Sequence, residues 1–525
     1  MQTTGPGPLA VRSGAATAPR ERLLWLALAL FAAVWLGLLA AVRLTPPIDN
    51  IEQLLWSRTL AWGYYKHPPL PSWILAGATA VLGHAAWVAA LLGGLCVLIT
   101  LVLYARLLER LAGRGFALLA LLAALCLTYS TERLDYFNHN TVMMLLTAAT
   151  IARLWAVTQR PTPTGWSGVG LLLGLGLLAK YQMAVVALCV GLWWLRIGGW
   201  RVPAQRAGLA LAALVAALVF APHVVWLVQS GFEPLRYAEQ SSLAAHLPWL
   251  QRPAATSWWL ADWMANRLLP AWLLLAALAL VLRLGGGMPA SVPATNADAP
   301  GARLRRDYLL LWGLGPALVM AALGLLGGIH LQPKWSTAFA LWTVPALLQF
   351  LPRLWQPLTQ RGLPGMAWAV FLALQLLLAG EAWYGAQAAP GPGCGSQWSS
   401  RDFHAPAQAL DAGARAALGG PPEIVSGPYG VAGALALALP GDPKVLIDGS
   451  LARSPWVGAA ELQRARAVTV APACRVPPGA RPLMPGWVWW PGGGTVPEGA
   501  PPPGIDDAQW RLAVAHGGAC GVVCP

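Results

Sequence analysis

Asp49 and Glu52 stand three residues apart in Asp49-Asn-Ile-Glu52, shortly before Gly63-Tyr-Tyr-Lys-His-Pro-Pro-Leu-Pro-Ser-Trp73. At spacing i, i+3 the two acids share one face of a helical turn. A carboxylate beside a bilayer is costly to bury, so an acid pair there is a candidate for proton transfer or substrate orientation. The bland alternative is a solvated pair, with Asp49 capping a helix after Pro46-Pro47. Lys66 and His67 precede Pro68-Pro69, whose fixed φ makes a rigid turn. A lysine held there suits a phosphate as a point charge, or else anchors the loop by snorkelling.

Further polar groups interrupt the apolar chain. Glu132, Arg133, Asp135, Asn138, His139 and Asn140 fall together, Lys180-Tyr181 breaks the stretch from Gly168 to Leu195, and Arg236, Tyr237 and Glu239 follow. His330-Leu-Gln-Pro-Lys334-Trp closes the series. Each group alone reads equally as a solvated loop. Together they describe an anion site, with Lys66, His67, Lys180, Arg236, His330 and Lys334 as its donors. Asp49, Glu52 and Asp135 are its candidate acids or bases, and Tyr65, Asn138, His139 and Tyr181 are candidate substrate contacts.

The elements that must position these residues are membrane helices. The chain is 57% hydrophobic and 11% charged, with a mean hydropathy of +0.55. A soluble surface of this size needs far more charge. Apolar runs of roughly 17–22 residues read as spans, placed at Leu23–Arg43, Ala86–Arg106, Gly115–Ser130, Thr141–Val157, Gly168–Leu178 and Met183–Leu195. Five more follow at Gly208–Val228, Leu268–Leu282, Tyr308–Gly327, Thr337–Leu351 and Gly365–Tyr384. The first is too long for a cleaved signal and is read as retained. Arginines cluster at every second junction, from Arg12, Arg20 and Arg22 onward. The positive-inside rule then puts the N-terminus in the cytoplasm and every candidate above on the outer face.

Residues 1–22 form a tail, 23–384 a membrane domain of about eleven spans, and 385–525 a small extracytoplasmic α/β domain. In the last, Phe403–Leu418 and Tyr429–Leu439 read as helices. Glu423–Ser426, Lys444–Asp448, Ala467–Val470 and Trp510–Val514 read as strands, with a Pro/Gly-rich insertion near 485–505. Residues 44–85 are expected as short amphipathic helices along the interface, and Gln229–Arg267 as a second long outer loop. Gly168–Gly176 and Gly324–Gly328 read as helix-packing surfaces.

The net charge of +14 is cytoplasmic anchoring, with no basic aromatic stripe for nucleic acid. The 29 tryptophans read mostly as an interfacial belt. Cys96, Cys126 and Cys189 are core residues, while Cys394, Cys474, Cys520 and Cys524 permit two disulfides outside the membrane. The Arg-over-Lys bias and abundant Ala, Gly and Pro suit a GC-rich bacterial source. A transporter is the competing class, but transporter sites lie near the midplane between related halves, whereas these ionisable groups gather at one face.

Asp49-Asn-Ile-Glu-Gln-Leu-Leu-Trp-Ser57 and the Gly63–Trp73 segment resemble the first outer loop of bacterial glycosyltransferase family 39. That group, within the GT-C superfamily, includes protein O-mannosyltransferases and lipid A aminoarabinose transferases. The resemblance extends through Asp135–Asn140, Gly174–Tyr181 and Pro333-Lys-Trp, covering roughly residues 23–384. The C-terminal domain is similar only in its placement. The resemblance implies an inner-membrane enzyme that takes a sugar from a polyprenyl-phosphate carrier and gives it to a lipid, glycan or protein acceptor outside the cytoplasm. Many family members have a contiguous Asp-Glu pair before a Trp-Ser. Here Asp49 falls on the first acid, Asn50 on the second, and Glu52 two residues further on. His67 falls where relatives often have His or Lys before the proline pair. No cofactor is implied, although a divalent cation between carboxylates is compatible with hard oxygen ligands.

Overall fold

The computed structural model describes residues 18–239, 247–284, 301–361, 365–387, 398–473, 477 and 479–494. Helix α1 (Ala18–Val42) leads into two short helices, α2 (Ile48–Trp56) and α3 (Leu70–Leu82). The long α4 (Ala86–Ala112) follows, then α5 (Arg114–Ala124), α6 (His139–Gln159), α7 (Pro163–Ala179), α8 (Met183–Arg196) and α9 (Pro203–Gln229). Next come α10 (Glu233–Ala238), α11 (Arg252–Ala261), a π-helical turn over Asp262–Arg267, and α12 (Leu269–Leu284). The helical body closes with α13 (Ala302–Gly327), α14 (Thr337–Leu348), α15 (Pro352–Arg361) and α16 (Gly365–Gln387).

Every one of the eleven expected spans is helical. Among the described residues six helices are long and apolar enough to cross a membrane: α1 from Glu21, α4, α6, α9, α13 and α16. A seventh crossing results if α11 with its π turn and α12, bent by 52°, count as one. The others, α5, α7, α8 and α14, have 11–17 residues, so length alone does not support a count of eleven. Of these, α5 and α14 are largely buried and α7 and α8 about half buried. Helix α7 packs on α9 at Gly170 and Gly174, where a Cβ would come within 2.3 Å of Ala212 O and 2.7 Å of Val219 Cβ. Small residues thus let the backbones approach, as expected of that stretch.

Three loop expectations are corrected. Residues 229–267 are mainly α10, α11 and the π turn rather than loop. The tryptophans divide between core and surface: Trp56, Trp166, Trp193, Trp259, Trp263 and Trp312 are fully buried, whereas Trp62, Trp87, Trp200 and Trp249 are exposed. Helix α2 is not left with an open polar face. All its residues but Asp49 are buried, because a second hydrophobic core covers its outer face.

That second core belongs to the C-terminal domain. Helices α17 (His404–Leu418), α18 (Tyr429–Ala438) and α19 (Ala459–Arg464) flank a sheet of β1 (Ile424–Gly427), β2 (Lys444–Ile447), β3 (Ala467–Pro472), β4 (Arg481–Met484) and β5 (Trp487–Pro491). The sheet order is β2-β1-β3-β5-β4, with β1 parallel to β2 and β3, and β5 antiparallel to β3 and β4. Where a Pro/Gly-rich insertion was expected near 485, β5 completes a hairpin with β4. Trp510–Val514 and Cys394, Cys474, Cys520 and Cys524 lie outside the described residues. Cys96, Cys126 and Cys189 are buried free thiols.

The core of this domain includes Ile48, Ile51, Leu55, Trp56, Tyr64 and Tyr65 from the first loop. Helix α18 meets α2 at Gly433, where a Cβ would lie 2.3 Å from Ile51 Cγ2. Trp398 Nε1 donates to Pro46 O at 2.8 Å, and the Leu44 N–H donates to Ser399 O at 2.8 Å. The segment carrying the candidate acids is therefore shared by both bodies.

Candidate functional site

Pro46 and Pro47 stop the chain from continuing α1, and α2 starts immediately after Pro47. Asp49 lies in its first turn, where the exposed amides and helix dipole favour a carboxylate. It is half-buried. Its Oδ2 accepts a hydrogen bond from Asn138 Nδ2 at 2.7 Å. Asn138 caps α6, with Oδ1 accepting from Asn140 N at 2.9 Å and Thr141 N at 3.1 Å. Both ends of its amide are thereby fixed, and so is the Asp49 oxygen.

Asn50 turns the other way. Its Nδ2 donates to Asp135 O at 2.7 Å and its Oδ1 accepts from Phe137 N at 2.8 Å. Asn50 thus staples α2 to the 135–137 backbone. Sequence reasoning missed this role, since an Asn in a loop carries no sign of a partner 85 residues away.

Glu52 is buried and pairs with Lys66, Nζ to Oε1 2.6 Å. The Lys66 ammonium also faces the rings of Tyr429 at 3.8 Å, Tyr65 at 5.2 Å and Tyr237 at 5.4 Å from their centroids. Burial by itself would lower the Lys66 pKa, but the Glu52 carboxylate and the surrounding tyrosines raise it well above the ordinary value. Lys66 is thus a charged, caged lysine rather than the open phosphate ligand expected. Asp135 is likewise engaged: its Oδ2 lies 3.3 Å from Arg43 Nε, while Oδ1 is buried without a partner. Burial lifts its carboxyl to about 6 against the pull of Arg43.

The two histidines meet. The rings of His67 and His139 lie 3.8 Å apart between centroids. Burial, then the charges of Lys180, Lys66 and Lys334, hold His67 well below its ordinary pKa, so it offers an N–H or a lone pair and not a charge. His139 Nδ1 is buried and unpartnered. Lys180 caps the end of α7 and donates from Nζ to Asn140 Oδ1 at 2.5 Å. Lys334, exposed in the turn Pro333–Ser336, is close enough for its charge to act on Glu52, His67 and Lys180.

Three expected members stand apart. Arg236 is exposed and folds toward Gly231, while its neighbour Tyr237 faces Lys66. His330 is exposed and joins none of these contacts among the described residues. Tyr181 donates or accepts at His223 Nε2, 2.9 Å away, and His223 Nδ1 lies 2.6 Å from Trp62 O. With a carbonyl as its partner, Nδ1 must carry the proton. This relay ties the Lys180 turn to the loop bearing Lys66. The buried His223 within α9 was not singled out by the sequence, where a lone histidine in a span gives no partner.

Arg133 was seen only as part of a polar turn. Its guanidinium stacks on Tyr136, 5.4 Å from the centroid, and lies within electrostatic reach of Tyr129 and Asp49. Tyr129 also lines a small, mostly apolar cavity of about 40 Å³ between α4, α6 and α14, bordered by Thr128, Ser130, Met144 and Leu341, with Arg267 among its lining residues. The three acids do not converge: Asp49 faces Asn138, Glu52 faces Lys66 and Asp135 faces Arg43. Among the described residues no group of three or more His, Cys, Asp or Glu is placed to hold a metal ion.

A bundle of long apolar helices, with Asp49 under a small α/β domain, is a fold that comparison with known proteins finds among membrane glycosyltransferases. Residues 66–226 match the family described as dolichyl-phosphate-mannose-protein mannosyltransferase. The fold is similar to that of ArnT from Cupriavidus metallidurans bound to undecaprenyl phosphate, with a TM-score of 0.56 over 93% of this chain and 100% of that one, at 14% identity. Among curated proteins, the chain is similar to the lipopolysaccharide core galacturonosyltransferase RgtA of Rhizobium johnstonii, 26% identical over 34% of this chain and 36% of that protein. It is also similar to the lipid A galacturonosyltransferase RgtD of the same organism, 25% identical over 37% of this chain and 40% of that protein. The alignments thus span well under half the length of these two relatives. The family match begins at Lys66, so the assignments of Asp49 and of the C-terminal domain rest on geometry.

Proposed function

We propose that the protein transfers a sugar from a polyprenyl-phosphate carrier to an acceptor outside the cytoplasm, with inversion at the anomeric carbon. The observation that carries this reading is Asp49. One of its carboxylate oxygens is fixed by Asn138, the other has no partner among the described residues, and the acid lies within electrostatic reach of both Arg133 and Lys180.

The chemistry follows from those positions. Arg133, Lys180 and Lys334 supply positive charge for the carrier phosphate. As the acceptor hydroxyl attacks the anomeric carbon, its proton passes to Asp49 Oδ1. The sugar–phosphate C–O bond breaks, the electron pair leaves with the phosphate oxygen, and preorganised cations stabilise the developing charge. The neutral His67, whose ring lies 3.8 Å from that of His139, suits a sugar hydroxyl. A phosphate acceptor would need orientation by Asp49 rather than deprotonation. The relatives' names favour a galacturonosyl donor and a lipopolysaccharide acceptor.

The test is release of polyprenyl phosphate from a panel of labelled carrier-linked sugars by the purified protein. Wild type is expected to turn over, and Asp49→Asn to lower kcat by about 100-fold or more. Equal turnover by the variant would remove Asp49 from the mechanism. Binding without release by wild type across donors and acceptors would return the transporter reading.

A further inference from the structure

We infer that Tyr429, from the C-terminal domain, is a positioning residue of this site: its ring closes the cage that holds the Lys66 ammonium against Glu52. The inference rests on the reading of this site as the transfer site and deepens it, because it makes the C-terminal domain one wall of that site.

A buried ammonium has three N–H donors and needs a partner in each direction. Glu52 takes one, at 2.6 Å. The remaining faces meet aromatic rings, and of these the Tyr429 centroid is nearest, at 3.8 Å. That lies well inside the roughly 6 Å range of an effective cation–π contact. The cage draws on separate parts of the chain: Tyr65 from the first loop, Tyr237 from α10 and Tyr429 from the first turn of α18.

The docking of α18 sets the ring. Tyr429 and Gly433 are four residues apart and share one face of the helix. Gly433 seats that face against Ile51, the residue before Glu52. The missing Cβ that allows the close approach therefore also fixes the distance from the Tyr429 ring to the Lys66–Glu52 pair. Asp442, just beyond the helix, fastens the same contact through Arg58 at 2.5 Å and His84 at 3.1 Å.

The test measures the exposure of Lys66 directly in the full-length protein. The chain has only four lysines, at 66, 180, 334 and 444, so reductive methylation followed by mass spectrometry resolves each one. Tyr429→Leu is expected to raise the labelling rate of Lys66 by about tenfold, leaving buried Lys180 as slow as in wild type. Tyr429→Phe keeps the ring and should keep both the wild-type labelling and the wild-type kcat/KM. Gly433→Ala should expose Lys66 without touching the cage. Unchanged Lys66 labelling in Tyr429→Leu and Gly433→Ala would overturn the inference. So would equal exposure of Lys66 and Lys180, which marks a general loosening, or a Tyr429→Phe variant as labile as Tyr429→Leu. None of the labelling readouts uses a substrate. Failure of wild type to transfer any sugar would sink the functional reading and leave the labelling result standing.

Discussion

At the scale of single residues, what each polar side chain can do depends on what already holds it. Burial and the neighbouring Lys334 charge push the Lys180 ammonium down to about 7, with Asp49 pulling the other way. Its charge is therefore present below about pH 7 and lost above it. A sugar-loaded carrier is a phosphodiester with constant charge over this range, so the titration belongs to the protein. Donor KM is expected to rise as pH goes from 6 to 9. Lys180→Arg, which keeps its charge, should flatten that profile. A wild-type KM that is level with pH would separate Lys180 from the carrier phosphate. The sequence made Asp49, Lys66, His67 and Lys180 legible because ionisable groups beside lipid are conspicuous by type. It could not show that Lys66 is caged or that Asn50 is a staple, because those roles depend on Tyr429, Asp135 and Phe137, far away along the chain. His330 and Arg236 had the right chemistry and the expected side of the membrane, and still lie outside the cluster.

At the scale of elements, each apolar run became a helix, but the loops between them were harder to read. Periodicity identifies an amphipathic helix at 48–56, but it does not distinguish lipid from a second protein core as the cover for its apolar face. The cover is α18, and Asp442 ties it down. Partial burial would raise the Asp442 carboxyl, but hydrogen bonds from His84 and Arg58 and their charges outweigh it and hold the pKa below the ordinary value. The stabilisation is thus present above about pH 4, the ordinary carboxylate range, and is lost as pH falls through the lowered value. His84 has acceptors on both sides, Asp442 Oδ1 at 3.1 Å and Leu54 O at 3.0 Å, so only the imidazolium donates to both. Asp442→Ala should loosen α18 by about 1 kcal/mol, with the half-exposed carboxylate keeping the effect small. Hydrogen exchange should then quicken in residues 51–55 at pH 7, and the difference from wild type should vanish toward pH 3. Unchanged exchange at pH 7 would show that apolar packing alone seats the helix.

At the scale of the whole molecule, the open structural question is how many times the chain crosses. Helices α7 and α8 span about 25 and 21 Å at 1.5 Å per residue, short of a hydrocarbon core of about 30 Å. Yet Lys180 at their junction belongs to the site, while the arginines beyond their other ends, Arg160 and Arg201, are exposed. Buried helices need not match the bilayer alone, because neighbours such as α9 cover them and local thinning costs little per ångström. Arginine placement then argues that both helices cross, with Arg160 and Arg201 in the cytoplasm and the site outside. Arg160→Cys and Arg201→Cys should therefore resist a membrane-impermeant maleimide in intact spheroplasts and react after lysis. Trp249→Cys, at an exposed position in the segment before α11, should react in both states, each shift being read against the wild-type background. Reaction of the two arginine positions from outside would mean that α7 and α8 turn back within the bilayer. Lys180 would then approach the site from the membrane interior, and the carrier phosphate would have to be held by Arg133 and Lys334 without it.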